Sequence, residues 1–316
     1  MEFLPVVRVV KSVALFFLFI PILLSAQGRA DGDSFLLKKH GAHYVFTADI
    51  NGSAEATVLL ESGIHAMLVD SSFVASSGAF PDLKLLPVED EKMNLAGRLC
   101  RITHKADGVV KISEHTSYRG EVYVLAGFSK GYDLAVPVQN LFNDLDDGSR
   151  IAHLILENNS LQMMSRASMQ DMKEKYSRHE MNTETYLGMP AVRTKLSIAC
   201  DGRMRVLEAN FNIDFGNPEL MFLMHQHDVV QKFFNENKDI ELRPARNQRG
   251  EKIGQLIIAE RCQLCDFEFV NAVIAMTEKL PRFTTAGNIG LKFFKPLDAI
   301  FDFDADSLFL RSLQSF

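Results

Sequence analysis

From His43 onward the chain alternates apolar and polar positions with the period of two that a half-buried strand requires. Tyr-Val-Phe-Thr-Ala-Asp-Ile occupies 44–50, Asn51-Gly52 follows, and Ala56 to Leu60 is again largely apolar. Asn-Gly between two such runs predicts a β-hairpin, because both residues accept the positive φ of a tight two-residue turn. Further strands are expected at 98–103, 109–113, 121–126 and 151–156, with turns at Ala106-Asp107-Gly108 and Asp146-Asp147-Gly148. Residues 165–185 are polar, charged and Met-rich, which reads as a linker, partly helical. A second series is expected at 193–199, 206–213, 254–259, 267–276 and 299–303, with a turn at Asp201-Gly202. Many short strands with turns roughly every ten residues predict an all-β sandwich or barrel rather than βαβ units.

One stretch breaks this pattern. Residues 12–24 are continuously apolar, preceded by Arg8 and Lys11 and followed by Ser25-Ala26. A basic start, a short apolar run and a small-residue junction predict a secretory signal peptide over 1–26. A membrane span needs about 20 apolar residues, and Pro21 interrupts this shorter run. The mature chain is therefore expected to be exported, periplasmic or extracellular, with no stable membrane span.

The two strand series echo one another. Asn51-Gly52 leads through an apolar strand to Glu61-Ser62-Gly63 and then to Phe73-Val74. Asp201-Gly202 leads in the same way to Asp214-Phe215-Gly216 and then to Val229-Val230. Each half closes with a pair of apolar strands, around His153 to Met163 and around Ala299 to Leu310. This predicts a duplicated lobe, with an N-terminal β lobe over 27–165, a polar linker over 166–186 and a C-terminal β lobe over 187–316.

Composition narrows the function. A net charge of −6 argues against nucleic acid, whose binders carry a basic footprint. With 24 Phe, 6 Tyr and no Trp, most aromatic side chains are expected in the core rather than in a binding cleft. Cys100, Cys200, Cys262 and Cys265 allow up to two disulfides in an oxidising compartment, in pairings that sequence does not separate. Cys262-Gln-Leu-Cys265 has redox spacing but no strand–turn–helix context, so a structural role is expected. His225/His227 and His40/His43 lack the third and fourth ligands a metal site needs. There is no GxSxG, HExxH, phosphate loop or GxGxxG, so no cofactor or metal is expected. Asn51-Gly-Ser and Asn158-Asn-Ser match glycosylation sequons, although Asn51 is better explained as a turn residue.

The order of hairpin, apolar strand, acid-small-Gly, helical segment, apolar-apolar-Gly and closing hairpin resembles the aspartic peptidases of the pepsin and retropepsin type. The stretch Gly287-Asn288-Ile289-Gly290-Leu291-Lys292-Phe293-Phe294, continuing to Leu310, is similar to that family's last strands. The resemblance implies a bilobal pepsin-like β-barrel fold with a few short helices over most of 43–316. It also implies that Glu61 and Asp214 stand where the family carries its two catalytic aspartates. Ser62, Gly63, Phe215, Gly216 and Gly290 would form the supporting loops. In that chemistry two adjacent carboxyls share one proton, one activating water and the other protonating the peptide carbonyl.

Several residues depart from the family pattern. Glu61 is one methylene longer than Asp, and Phe215 lacks the hydroxyl that ties the loops. Ala135-Val136-Pro137 stands in place of apolar-apolar-Gly, and the flap, expected near 95–113 with its turn at Asp107-Gly108, has no Tyr beside that turn. All of these affect catalysis. The expectation is therefore a protein that binds an extended peptide or unfolded segment between its lobes with little or no hydrolysis, the alternative being an active endopeptidase using Glu61 and Asp214.

Overall fold

The computed structural model describes residues 31–95, 98–128, 131–146, 148–183, 188–246, 252–277 and 285–313. The signal-peptide expectation for 1–26 lies outside them. Strands β1 (Ser34–Leu36) and β2 (Lys38–His40) lead into the hairpin β3 (His43–Ile50) and β4 (Ala54–Glu61). Its turn is the expected one, with Asn51 and Gly52 at φ 51° and 65°. Asn51 also ties the turn to its neighbours, donating to the Ala79 carbonyl at 2.6 Å and accepting from the Lys111 amide at 2.9 Å. There follow β5 (Met67–Asp70), α1 (Ser71–Ser77), β6 (Leu86–Pro87), β7 (Lys92–Leu95), β8 (Arg98–Lys111), β9 (Thr116–Ala126) and β10 (Leu134–Pro137). A 3₁₀ turn (Val138–Asn140), β11 (Leu141–Asn143), β12 (Ile151–Ile155) and β13 (Ser160–Met163) complete the first half.

The expected linker is structured. It forms α2 (Arg166–Met172), a second 3₁₀ turn and β14 (Ser177–Asn182), which pairs with strands of the second half on both sides. Its polarity hid the strand because ladder bonds are made by the backbone, which can pair a strand whose side chains are mostly exposed. The second half contains β15 (Ala191–Cys200), β16 (Arg203–Ile213), β17 (Met221–Met224), α3 (Asp228–Glu236), β18 (Arg243–Arg246) and β19 (Lys252–Leu264). It ends with β20 (Phe267–Thr277), β21 (Gly287–Ile289), α4 (Leu291–Phe294), β22 (Leu297–Asp302) and β23 (Ser307–Ser312).

The duplication is visible in the ladders. In the first half β4 runs parallel to β10, β10 antiparallel to β5, β5 parallel to β9, and β9 antiparallel to β8. In the second, β16, β21, β17, β20 and β19 repeat that order and those directions. Ala135-Val136 thus occupies the place of Asn288-Ile289, with Pro137, opposite Glu61, where the second half has Gly290. Pro137 ends the strand and pairs with β4 alone, the β5 ladder having stopped at Ala135.

One predicted turn is absent. Asp107 and Gly108 lie inside β8, opposite Glu121 and Gly120, and the hairpin closes later, at Lys111–Thr116. The pairing across a long two-stranded ribbon outweighs the local turn preference of Asp-Gly. The expected flap turn is therefore not at Asp107-Gly108; β7 and β8 pair antiparallel, and residues 96–97 between them lie outside the described residues.

Strands β1, β13, β12, β22, β23 and β14 lie side by side, and the β12–β22 pair joins the two halves. One apolar core runs through both halves, including Phe46, Leu60 and Val136 from the first and Phe211, Ile213 and Phe301 from the second. Most Phe residues are core, as expected. At the junction Asp298, 1% exposed, accepts from His153 at 2.6 Å, Tyr176 at 2.9 Å and Arg311 at 2.5 Å. Burial pulls the Asp298 carboxyl upward, but these hydrogen bonds outweigh it and hold its pKa below the usual value.

Candidate functional site

Strand β4 ends at Glu61, and Asp214 directly follows β16 in the equivalent strand of the other half. Each apolar strand thus carries a carboxyl to the point where its backbone leaves the sheet. Glycines report how near the two approach. A Cβ on Gly216 would lie 2.6 and 2.8 Å from the two Glu61 carboxyl oxygens and 3.1 Å from Asp214 Oδ1. A Cβ on Gly63 would lie 2.5 Å from Asp214 Oδ1. Both glycines are needed because each loop backs onto a carboxyl, leaving no room for a side chain. Both carboxyls therefore lie against Gly216.

Ser62 locks that approach. Fully buried, its hydroxyl donates to the Ile213 carbonyl at 2.9 Å and accepts from the Phe215 amide at 2.9 Å. A single side chain thereby bridges the two loops through two hydrogen bonds. Phe215 contributes only its backbone to this bridge. Its ring is 1% exposed and packs edge-on against Phe294 and Phe301, both with centroids 5.6 Å away. It is core and does not stack over the cleft floor. Gly290 sits under the second loop, where a Cβ would meet the Glu219 carbonyl at 2.2 Å and the Asn217 carbonyl at 2.5 Å. On the first-lobe side Gln139 donates to the carbonyls of Ser62, at 3.3 Å, and Ile64, at 2.8 Å.

The electrostatics divide the pair. Burial raises both carboxyls. Asp214 is opposed by donors: the Asn288 amide at 2.7 Å on Oδ2 and the Gly216 amide at 2.9 Å on Oδ1. The field of His43 draws it down further. These contacts favour the ionised form of Asp214, although burial leaves its pKa raised overall. Its negative charge adds to burial in pushing Glu61 up to about 8, against the backbone amides of Ser62, Gly63 and Gly216. Between its two titrations the coupled pair holds one proton and one negative charge.

Asn288 was not singled out in the sequence. It lies in β21 opposite Asn212, one residue before the apolar-Gly pair, and a buried Asn in an otherwise apolar strand was the available signal. Its NH2 group donates to Asp214 Oδ2, which lowers the Asp214 pKa.

Beside Glu61 a cavity of about 80 Å³ is lined by Leu59, Ile64, Leu68, Phe128 and Tyr132, with Leu95 and Arg98 from the β7–β8 hairpin. The hairpin thus reaches the cavity that Glu61 lines. Burial first, then the nearby Glu61 charge, raises the Tyr132 hydroxyl. The histidine pairs do not gather ligands. His227 caps α3 by accepting from the Val229 amide at 3.3 Å, and His40 packs edge-on to Tyr132. No cluster of three metal-ligating side chains occurs among the described residues. All four cysteines are buried and unpaired. Cys262 lies opposite Phe269 in the β19–β20 ladder and Cys265 sits in the turn at its end, so both serve as apolar packing. Among the described residues no helix is long and apolar enough to cross a membrane.

Comparison with known proteins agrees on architecture. No family model matches the sequence, and no curated protein matches it. Among solved structures, an aspartic proteinase from Irpex lacteus superposes with a TM-score of 0.54 at 9% identity, covering 89% of this chain and 97% of that one. Basic 7S globulin from soybean superposes with a TM-score of 0.52 at 8% identity, covering 89% and 95%. At such identities the likeness concerns fold alone, and on fold the result is plain: this chain is a divergent, bilobal, all-β protein of the pepsin-like architecture.

Proposed function

We propose that this protein is an endopeptidase of the aspartic type, using Glu61 and Asp214 on an extended polypeptide held between the lobes. The observation that carries this reading is the meeting of the two carboxyls around Gly216, braced by Ser62. Asp214, ionised, would accept a proton from water as its oxygen attacks the peptide carbonyl. Glu61 would donate its proton to the carbonyl oxygen as it becomes tetrahedral. Collapse of that intermediate, with a proton returned to the departing nitrogen, yields a carboxylic acid and an amine. Cleft binding would follow the strand-addition mode, with backbone hydrogen bonds and alternating side-chain pockets. The small apolar cavity beside Glu61 offers one such pocket.

A second reading, peptide binding with little or no hydrolysis, is favoured by one observation. Phe215 replaces a hydroxyl with buried aromatic core, so Ser62 alone bridges the loops while the longer Glu61 side chain must still be positioned. The protein incubated with an unfolded protein substrate between about pH 4 and pH 9 separates the two. Cleavage that falls about 10²–10⁴-fold in both Asp214→Asn and Glu61→Gln supports the first reading. Saturable peptide binding without cleavage supports the second, and the absence of both cleavage and binding overturns both readings.

A further inference from the structure

Away from the carboxyl pair, a groove of about 830 Å³ opens where the start of the first lobe, the turn after β12 and the segment around α4 meet. Its floor is apolar, formed by Leu37, Tyr44, Phe269 and Pro296 among others, and Lys38, Lys39, Lys292 and Lys295 stand around it. A second hollow of about 310 Å³ shares Lys39, Tyr44, Lys292 and Lys295 and extends to Pro218 and Glu219, in the loop after Asp214. Neither is lined by Glu61 or Asp214, and neither shares a lining residue with the cavity beside Glu61.

We propose that this groove docks an acidic segment of extended polypeptide that also carries apolar side chains. The charge of the groove is opposite to that of the molecule. Four ammonium groups face only Glu157 and Glu219, in a chain of net charge −6. Glu219 is engaged by Lys292, while Lys38, Lys39 and Lys295 have no ion-pair partner among the described residues. Like charges gathered at one recess repel, and a polyanionic partner relieves that repulsion. The floor decides among anions. A small inorganic anion would leave the half-buried Phe269 and Pro296 uncovered, and the flat surface of a membrane does not reach a recessed floor. A peptide of alternating acidic and apolar residues satisfies rim and floor together. This site does not depend on the hydrolytic reading, since it uses none of its residues.

The test is fluorescence anisotropy of a labelled (Glu-Glu-Leu)₄ peptide titrated with the protein, beside its (Gln-Gln-Leu)₄ counterpart. The acidic peptide is expected to bind saturably and at least tenfold more tightly than the amide peptide. Its affinity should fall at least tenfold between about 50 mM and about 500 mM salt, as screening requires. Lys39→Gln/Lys295→Gln should weaken it about tenfold at an unchanged melting temperature, whereas Asp214→Asn should leave it unaltered. Equal binding of the two peptides, or full affinity in the folded lysine variant, overturns the proposal. Vesicles containing phosphatidylserine that bind through the same lysines more tightly than the peptide overturn it in favour of a lipid headgroup.

Discussion

At the scale of single residues, the site depends on two absences and one presence. Gly63 and Gly216 lack the Cβ that would strike a carboxyl, so Gly216→Ala should separate Glu61 from Asp214 and abolish cleavage even where the chain folds. A structure of that variant with the pair undisturbed would contradict this. Ser62 supplies the presence. Ser62→Ala leaves a buried amide and a buried carbonyl without their partner, a loss of about 1–3 kcal/mol measurable by denaturant unfolding. The proton on Glu61 has a further consequence. A carboxyl whose folded pKa is raised to about 8 contributes stability that is complete below its unfolded value and lost as pH rises through 8. Glu61→Gln, which cannot ionise, should therefore raise the melting temperature at about pH 9 relative to wild type and change it little at about pH 4. Equal shifts at both pH values would mean that Glu61 is not held protonated. Asn288→Leu removes a donor from Asp214, so the Asp214 titration should move up and the acid limb of any cleavage profile should move with it.

Between residues and molecule, the elements show which signals in sequence were sufficient. The β3–β4 hairpin was legible because Asn51-Gly52 has few alternative conformations, and the duplicated order of landmarks placed Glu61 and Asp214 in equivalent strands. Strand β14 was not legible, since most of its ladder is with β23, more than a hundred residues away, and its own side chains are mostly exposed. The turn forecast at Asp107-Gly108 failed for the opposite reason, a strong local signal overridden by a long ladder. Asn288 went unnoticed because its importance comes from a partner 74 positions away. The cysteines belong to this scale too. Burial pushes the Cys262 and Cys265 thiols up to about 12, far from the thiolate form that reacts. Alkylation of both should be slow in the native protein and rapid after unfolding. Rapid native modification of either would contradict their placement in the core.

Across the whole molecule, the decisive feature is that the halves are not independent. The apolar core is continuous through both, and the sheet joining them places β12 of the first half against β22 of the second. At that seam Asp298 is held by His153 from the first half and by Tyr176 and Arg311 from the rest of the chain. A buried carboxylate with three donors is costly to leave half-satisfied, so removing it should strip partners from all three at once. Asp298→Ala is expected to cost about 3 kcal/mol or more, the range for breaking a buried charged pair. The linkage with pH has a definite sign. Because the folded pKa of Asp298 is lowered, its contribution is present above the unfolded carboxyl value and is lost as pH falls through the folded one. The wild-type protein should therefore lose stability on acidification in that window, and Asp298→Ala should lose less. Since the seam belongs to both lobes, calorimetry of the wild type should record one unfolding transition, with Asp298→Ala moving that single transition down as a whole. Two resolved transitions in the wild type, or a variant in which only one lobe melts early, would show instead that each lobe carries its own stability. In that event the spacing of Glu61 and Asp214 would rest on Ser62 alone, rather than on the rigidity of the sheet that joins the lobes.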